Sequence, residues 1–133
     1  MKKYTLEVSE EQLRLIANCV EDLCRFVSGQ TGLDNTTMGI VSNRDYRKLA
    51  VALEQLTPFV TPQLGKYQYY GWDGGDCPNE EQRKFIAKTY GIYREIRHFL
   101  AVESGAPAWS TYLSPTLTCE DSVPLPIIKV KEE

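Results

Sequence analysis

The chain has 133 residues, of which 42% are apolar and 25% are charged, and its formal net charge is -3 at pH 7. This composition is ordinary for a globular protein and excludes wholesale disorder, and the negative charge argues against a general nucleic-acid coat. No apolar run approaches the length of a membrane span, and no apolar stretch of a signal peptide follows Met1, so we expect one cytoplasmic domain over residues 1–133.

The first predicted elements are a strand over residues 3–8, where polar and apolar residues alternate, and a helix over 10–28. Ser9 and Gln12 form a capping box before this helix, and Gly29 is a favourable residue for its end. Its apolar arc covers roughly 200°, which indicates a central helix that packs on more than one side.

A loop over residues 30–42, with a helix cap around Ser42 or Asn43, is predicted to lead into a second, peripheral helix over 44–57. Pro58 is expected to end this helix, because a residue before proline resists the helical conformation. Residues 58–78 then form a long aromatic loop. Structureless loops of this length are uncommon and often functional, and a short strand over 66–72 or an Ω-loop is the alternative.

The longest helix is predicted over residues 79–103, and a proline-rich extended segment over 104–133 follows it. Residues 128–131 alternate again, and we expect them to pair with the strand over 3–8, because an isolated short strand leaves backbone groups unpaired. The predicted fold is therefore mainly α, of the α+β class, with a three-helix core and a strand pair from the two termini. Deletion of residues 127–133 should then lower the melting temperature.

The helix over 79–103 carries a basic face opposite its apolar face. Guanidinium groups pair bidentately with phosphate or carboxylate, so this face is a candidate anion site, and the alternative is a solvated face with charges of both signs. Folding is expected to survive the replacement of its arginines by Ala. The predicted ligand-binding residues of this face are Arg83, Tyr90, Arg94 and Arg97, and Lys84, Lys88 and His98 flank them.

The aromatic loop is the second candidate site. Tyr69, Tyr70 and Trp72 could form a stacking platform for a base or a contact surface for a protein partner, or their rings could simply cover the core. Because the loop leads directly into the basic helix, we include these three residues with the predicted ligand-binding residues. The sequence does not show whether loop and helix face form one site.

No metal or other cofactor is predicted. Asp73 and Asp76 flank two glycines and could present carboxylates to a cation, but turn chemistry explains this stretch better. His98 is the single histidine, and nothing local supports a nucleophile pair with a cysteine. The cysteines lack metal-ligand spacing and are predicted to be free structural thiols; they are Cys19, Cys24, Cys77 and Cys119.

Three segments, Tyr4–Leu13, Asn79–Ala87 and Ser114–Glu120, give the chain a resemblance to uncharacterised small proteins of bacteriophages and of mobile elements in gut bacteria. The resemblance implies a host-takeover, anti-defence or accessory binding protein, and it assigns no role to any residue.

The leading hypothesis is therefore a small cytoplasmic binding protein that acts by stoichiometric contact with a protein partner or an anionic ligand. The alternative is a nucleotide or nucleic-acid binder, whose affinity would fall steeply with salt. The third hypothesis is a small enzyme, although the common nucleotide-binding and hydrolase motifs do not occur in the sequence.

Overall fold

Two long helices, joined by shorter ones, dominate the part of the chain that the computed structural model describes, which is residues 1–40, 45–65 and 67–132. The helices are α1 (Glu10–Ser28), α2 (Asp34–Ile40), α3 (Tyr46–Glu54), α4 (Thr57–Val60) and α5 (Glu80–Ser104), and a 3₁₀ turn covers Thr111–Leu113. Within these described ranges, no helix combines the length and the apolar character that a membrane crossing needs.

The ends of the long helices follow their local sequence signals. Ser9 Oγ accepts a hydrogen bond from the N–H of Gln12 at 3.1 Å, and Gln12 Oε1 accepts one from the N–H of Ser9 at 2.9 Å, so the capping box is present. α1 ends at Gly29, whose φ of 113° favours glycine. The side chain of Asn79 accepts from the N–H of Gln82 at the start of α5. Both helices match their predicted bounds to within one residue at each end.

α5 is the central helix of the molecule. It packs against α1 on one side and against the C-terminal segment, residues 105–132, on another. α1 also packs on more than one side, as its wide apolar arc predicts, because it contacts α2 and α4 as well as α5. Leu15 and Leu23 on this arc are nevertheless about half exposed. The core forms two clusters along α5: Cys24, Tyr70, Cys77, Ile86 and Tyr93 near its start, and Ala17, Ile96 and Leu100 farther along.

The predicted strand pair is wrong, because no strand occurs in the described residues and the fold is therefore helical without a sheet. The two termini do approach each other, but through side chains: Lys131 Nζ lies 2.7 Å from Glu7 Oε1. A lone pair of short surface strands is only marginally stable in water. Pro124 and Pro126 also lack the N–H groups that a longer ladder would need.

The region between α1 and the aromatic residues also differs from its prediction. α2 lies inside the expected loop over 30–42. The expected helix over 44–57 is shorter and ends with α3 at Glu54, and α4 begins at Thr57 and extends into the expected loop over 58–78. The cap expected around Ser42 or Asn43 lies outside the described residues, as does position 44. Pro58 does not end a helix but stands in the first turn of α4, where its missing N–H leaves no hydrogen bond unmade.

α2 is held in place by two acidic residues of α1. The Asp22 carboxylate accepts hydrogen bonds from the backbone N–H groups of Asn35 at 3.1 Å and Thr36 at 2.9 Å. Glu21 accepts one from the side chain of Asn35 at 2.7 Å. Asp22 thus caps the positive end of α2 from another helix. Because this cap is distant in sequence, no local pattern predicts α2.

Candidate binding site at the aromatic segment

The aromatic segment, residues 67–76, folds back over the end of α1 and the start of α5. The N–H of Tyr70 donates to the carbonyl of Ser28 at 2.8 Å. Gly74 lies so close to α5 that a Cβ atom on it would be 2.9 Å from the Cα of Arg83, and its φ is 82°. Only glycine fits such a contact, so the backbone of this segment is fixed from both sides.

The residues Asp73 to Asp76 form tight turns. Asp73 Oδ1 accepts from the N–H of Gly75 at 2.8 Å, and the N–H of Cys77 donates to the carbonyl of Gly74 at 3.0 Å. This geometry favours turn chemistry over the cation site considered above. No group of three or more His, Cys, Asp or Glu side chains that could hold a metal ion is found among the described residues.

The rings of the segment have two different roles. Tyr70 is 7% exposed and belongs to the core. Tyr69 is about half exposed, and Trp72 lies against Tyr90 of α5 with 5.3 Å between the ring centroids. Tyr90 in turn meets Tyr93 edge-on at 5.7 Å. Of the predicted ligand-binding residues, Trp72 of the loop and Tyr90 of α5 are therefore in contact.

Two clefts share Tyr69 as a common wall. The smaller cleft, of about 210 Å³, lies between the rings of Trp72 and Tyr90 and the end of α1. The larger cleft, of about 420 Å³, lies on the surface formed by Tyr70, Asp76 and the residues before the aromatic segment. The smaller cleft is also lined by Cys24, Arg25, Ser28, Gln30 and Tyr93.

Arg25 supplies the positive charge of the smaller cleft. Its Nη2 lies 3.5 Å from Glu21 Oε2, and its guanidinium donates no hydrogen bond within the described part of the chain. The other oxygen of Glu21 already accepts from Arg97 at 2.9 Å and from Asn35 at 2.7 Å. Glu21 Oε2 is buried and accepts no hydrogen bond within the described residues, so Arg25 is the cation that faces this oxygen.

Burial keeps the Cys24 thiol and the Tyr93 hydroxyl of the smaller cleft protonated at pH 7. Burial raises the pKa of the Cys24 thiol above its ordinary value, and this thiol donates to the carbonyl of Ile86 at 3.4 Å. Burial likewise raises the pKa of the Tyr93 hydroxyl. A protonated thiol is a poor nucleophile, so the cleft offers ring surfaces and one cation rather than a reactive group.

The expected basic face of α5 lies largely under the C-terminal segment rather than in solvent. Arg94 is 9% exposed and donates to the carbonyls of Thr111 at 2.6 Å and Ser114 at 3.1 Å. Its guanidinium also lies 5.0 Å from the centroid of the Tyr112 ring. The expectation that Arg94 stands opposite the buried side of the helix is therefore wrong, because α5 is covered on two sides.

Arg97 and Arg83 are also engaged within the molecule. Arg97 Nη2 donates to Asn18 Oδ1 at 2.8 Å and to Glu21 Oε1 at 2.9 Å. Arg83 Nη1 lies 3.3 Å from Asp121 Oδ2. A ligand role for these arginines stays a prediction, and their geometry gives it no support, because an anion would have to displace these contacts.

His98 and the cysteine thiols of the core lie apart. His98 Nδ1 is 2.7 Å from the carbonyl of Tyr112. The Cys24 thiol donates a hydrogen bond to the carbonyl of Ile86. Ile86 lies about 18 Å from His98 along α5, at about 1.5 Å of helix rise per residue. Cys77 precedes the first turn of α5 and is farther still. The geometry does not support the nucleophile pair considered above for these two cysteines.

Sequence reasoning missed four residues of the site: Arg25 and Ser28 in the last turn of α1, Gln30 just after that helix, and Tyr93 of α5. Arg25 is the basic residue in the last turn of α1, and a basic residue at a helix end does not by itself indicate a cleft. The cleft exists because the aromatic segment returns to Ser28 from 42 residues farther along the chain. Helical periodicity carries no information on such a return.

Comparisons of the chain with protein-family models, with curated proteins and with solved structures found no match.

Proposed function

We propose that this protein is a small cytoplasmic binding protein that acts by stoichiometric contact, and that it meets a protein partner at the two clefts around Tyr69. The observation that carries the proposal is the shared wall: Tyr69 separates a cleft that contains Trp72 from one that contains Asp76. Partly exposed aromatic side chains in well-packed pockets supply much of the binding energy of many interfaces.

The fixed backbone of the aromatic segment supports this proposal. The Tyr70–Ser28 hydrogen bond and the close packing of Gly74 on α5 position the rings before any partner arrives. A surface ordered in advance loses less conformational entropy on binding. The two separate clefts also suit neighbouring side chains of one polypeptide better than a single large ligand.

The resemblance to uncharacterised small proteins of bacteriophages and mobile elements implies a host-takeover, anti-defence or accessory binding protein, which is compatible with this proposal. The nucleic-acid alternative depended on an exposed basic face of α5. Arg83, Arg94 and Arg97 all hold parts of this molecule, so α5 presents no continuous basic stripe that could follow a phosphate backbone.

The proposal is tested with a tagged protein in a lysate of the cells that carry the gene. Wild type is compared with the double variant Tyr69→Ala/Trp72→Ala and with Phe59→Ala, a control that removes an exposed ring from α4. We expect a protein to be retained in a one-to-one ratio by wild type and by the control, and to be lost from the double variant.

Calorimetry with that purified component then gives the affinity. The double variant should bind at least about a hundredfold more weakly, since two aromatic anchors each contribute upwards of about 1–2 kcal/mol. Equal retention by all three proteins, or equal affinity, would show that the surface around Tyr69 is not the contact. Circular dichroism of each variant confirms that the fold is retained.

A further inference from the structure

We propose that the smaller cleft is a site for a planar aromatic ring that carries an anionic group, with the ring against Trp72 and Tyr90 and the anion on Arg25. The inference rests on the proposed function, because it names the chemistry that this part of the binding surface would recognise. Its support comes from the size of the cleft, the arrangement of its rings and the state of its charges.

The size of the cleft matches one ring. Its volume of about 210 Å³ is below the range of roughly 300–1,000 Å³ that pockets for drug-sized ligands occupy. Trp72 and Tyr90 are tilted at 47° to each other, and Tyr93 stands edge-on to Tyr90. An added ring can continue this series with the offset or edge-to-face geometry that aromatic pairs prefer.

The charge of Arg25 is available at this place. Its nearest acidic oxygen, on Glu21, is 3.5 Å away, which is longer than an ordinary charge-assisted hydrogen bond. Arg97 and Asn35 bind the other oxygen of Glu21, Oε1, whereas the buried Oε2 accepts no hydrogen bond within the described residues. A carboxylate or phosphate would take guanidinium donors of Arg25 that make no hydrogen bond in the described ranges, and Arg25 would lie between that anion and Glu21 Oε2.

The helix end that borders the cleft does not cancel this charge. The last carbonyls of a helix form the negative end of its dipole, but in α1 each of the last four already accepts a hydrogen bond. The carbonyl of Arg25 accepts from Gln30, that of Phe26 from Gly29, that of Val27 from Gln82 and that of Ser28 from Tyr70.

The same charge excludes the other common ligand of aromatic pockets. A quaternary or primary ammonium group gains energy from the faces of Trp and Tyr rings, but here it would also approach the Arg25 guanidinium. Ring stacking and like-charge repulsion would then oppose each other. An aromatic anion meets both the rings and the cation favourably.

The experiment uses the full chain with Trp109→Phe, which leaves Trp72 as the one tryptophan and therefore as a fluorescent reporter in the site. The probes are phenylacetate and phenyl phosphate, the neutral phenylacetamide, and the non-aromatic acetate. We expect the anionic aromatic probes to change Trp72 fluorescence with at least about tenfold higher affinity than phenylacetamide, and acetate to have no effect.

Arg25→Gln should remove the preference for the anionic probes, whereas Arg14→Gln, an exposed arginine on the same helix, should keep it. Where Arg25→Gln fails to fold, the nuclear magnetic resonance signal of the Arg25 Nε–H in the unsubstituted protein replaces it. That signal should move with phenylacetate and not with phenylacetamide. Equal affinity for charged and neutral probes, or an unmoved signal, would overturn the inference.

The source of the ring is distinguished by comparing phenyl phosphate with a short peptide that carries phosphotyrosine. Tighter binding of the peptide assigns the group to a protein partner that also reaches the larger cleft across Tyr69, and equal or weaker binding assigns it to a free small molecule. The inference and the proposed function fail separately. Loss of the partner by Tyr69→Ala/Trp72→Ala without a preference for anions contradicts only the inference, and the reverse result contradicts only the protein contact.

Discussion

At the scale of single residues, Arg94 is a charged side chain with a structural role on the helix for which the sequence predicts a binding face. Its guanidinium reaches three backbone carbonyls of the C-terminal segment, of which the nearest, that of Thr111, is 2.6 Å away. Hydrogen bonds from a charged donor are stronger than neutral ones. Arg94 therefore fixes irregular backbone that has no ladder of its own.

Arg94→Ala is expected to lower the free energy of unfolding by about 2–4 kcal/mol, because charge-assisted hydrogen bonds contribute about 1.5–3 kcal/mol each and are not fully additive. Urea unfolding measures the change. Lys88→Ala, which removes an exposed cation from the same helix, should change it by less than about 0.5 kcal/mol. Equal effects of the two variants would show that the Arg94 contacts do not stabilise the fold.

Tyr93 makes the stability of the folded protein sensitive to alkaline pH. Burial raises the pKa of its hydroxyl above the ordinary value of 10.0, so the folded state keeps a proton that the unfolded state releases. This contribution to stability is complete below about pH 10 and is lost as the pH rises, by up to about 1.4 kcal/mol per pH unit.

Urea unfolding between about pH 9 and 11 should therefore show a steeper loss of stability for wild type than for Tyr93→Phe. The exposed Tyr4 provides the control, and Tyr4→Phe should keep the wild-type slope. Identical slopes in all three proteins would contradict the assigned role of Tyr93.

At the scale of elements, α1 and α2 form one unit because acidic residues of α1 accept hydrogen bonds from the first turn of α2. Asp22 accepts from two backbone N–H groups and from the hydroxyl of Thr36 at 2.6 Å. The helix has only seven residues, and helices this short are unstable alone in water. α2 therefore depends on α1 for its start.

Asp22→Asn is expected to cost about 1–3 kcal/mol, since a helix cap and hydrogen bonds to a buried charge are both weakened. The loss should be local first: hydrogen exchange at the amides of Asn35 and Thr36 should accelerate more than at α5. Glu11→Gln, an exposed acid in the first turn of α1, is the control and should leave the exchange of α2 unchanged.

The elements that the sequence predicts well are those whose signals are local. Ser9, Gln12 and Gly29 set the bounds of α1 within a few residues of themselves. α2 was not predicted because its N-terminal cap, Asp22, lies on another helix. The prediction of the strand pair was wrong because alternating polar and apolar residues do not show whether two backbone segments form hydrogen bonds. The same distinction applies to the candidate site, where the rings were found in the sequence and Arg25 was not.

At the scale of the whole molecule, α5 is covered by α1 and by the C-terminal segment. The C-terminal segment packs on α5 through side chains and does not form the predicted strand pair. Arg83, Arg94 and His98 contact the segment at successive levels of α5. Ile128 packs near the core cluster of Ala17, Ile96 and Leu100. Side-chain packing thus holds the end of the C-terminal segment against α1 and α5.

Ile128→Ala should lower the free energy of unfolding by about 1–2 kcal/mol, because a half-buried apolar side chain is lost. Lys131→Ala should change it by less than about 0.5 kcal/mol, since its pair with Glu7 is exposed on both sides. Thermal unfolding of both variants measures the difference. A large effect of Lys131→Ala would indicate that the exposed pair joins the termini after all.

The pairing of α1 with α5 has a consequence for synthesis of the chain on the ribosome. Glu21 and Arg97 are 76 residues apart, and translation proceeds at roughly 5–20 residues per second. α1 can form its turns early, because its capping signals are local, but its buried side waits roughly 4–15 s for the residues that cover it. During that interval the nascent chain exposes apolar surface and an uncompensated carboxylate, so chaperone binding is expected before α5 emerges.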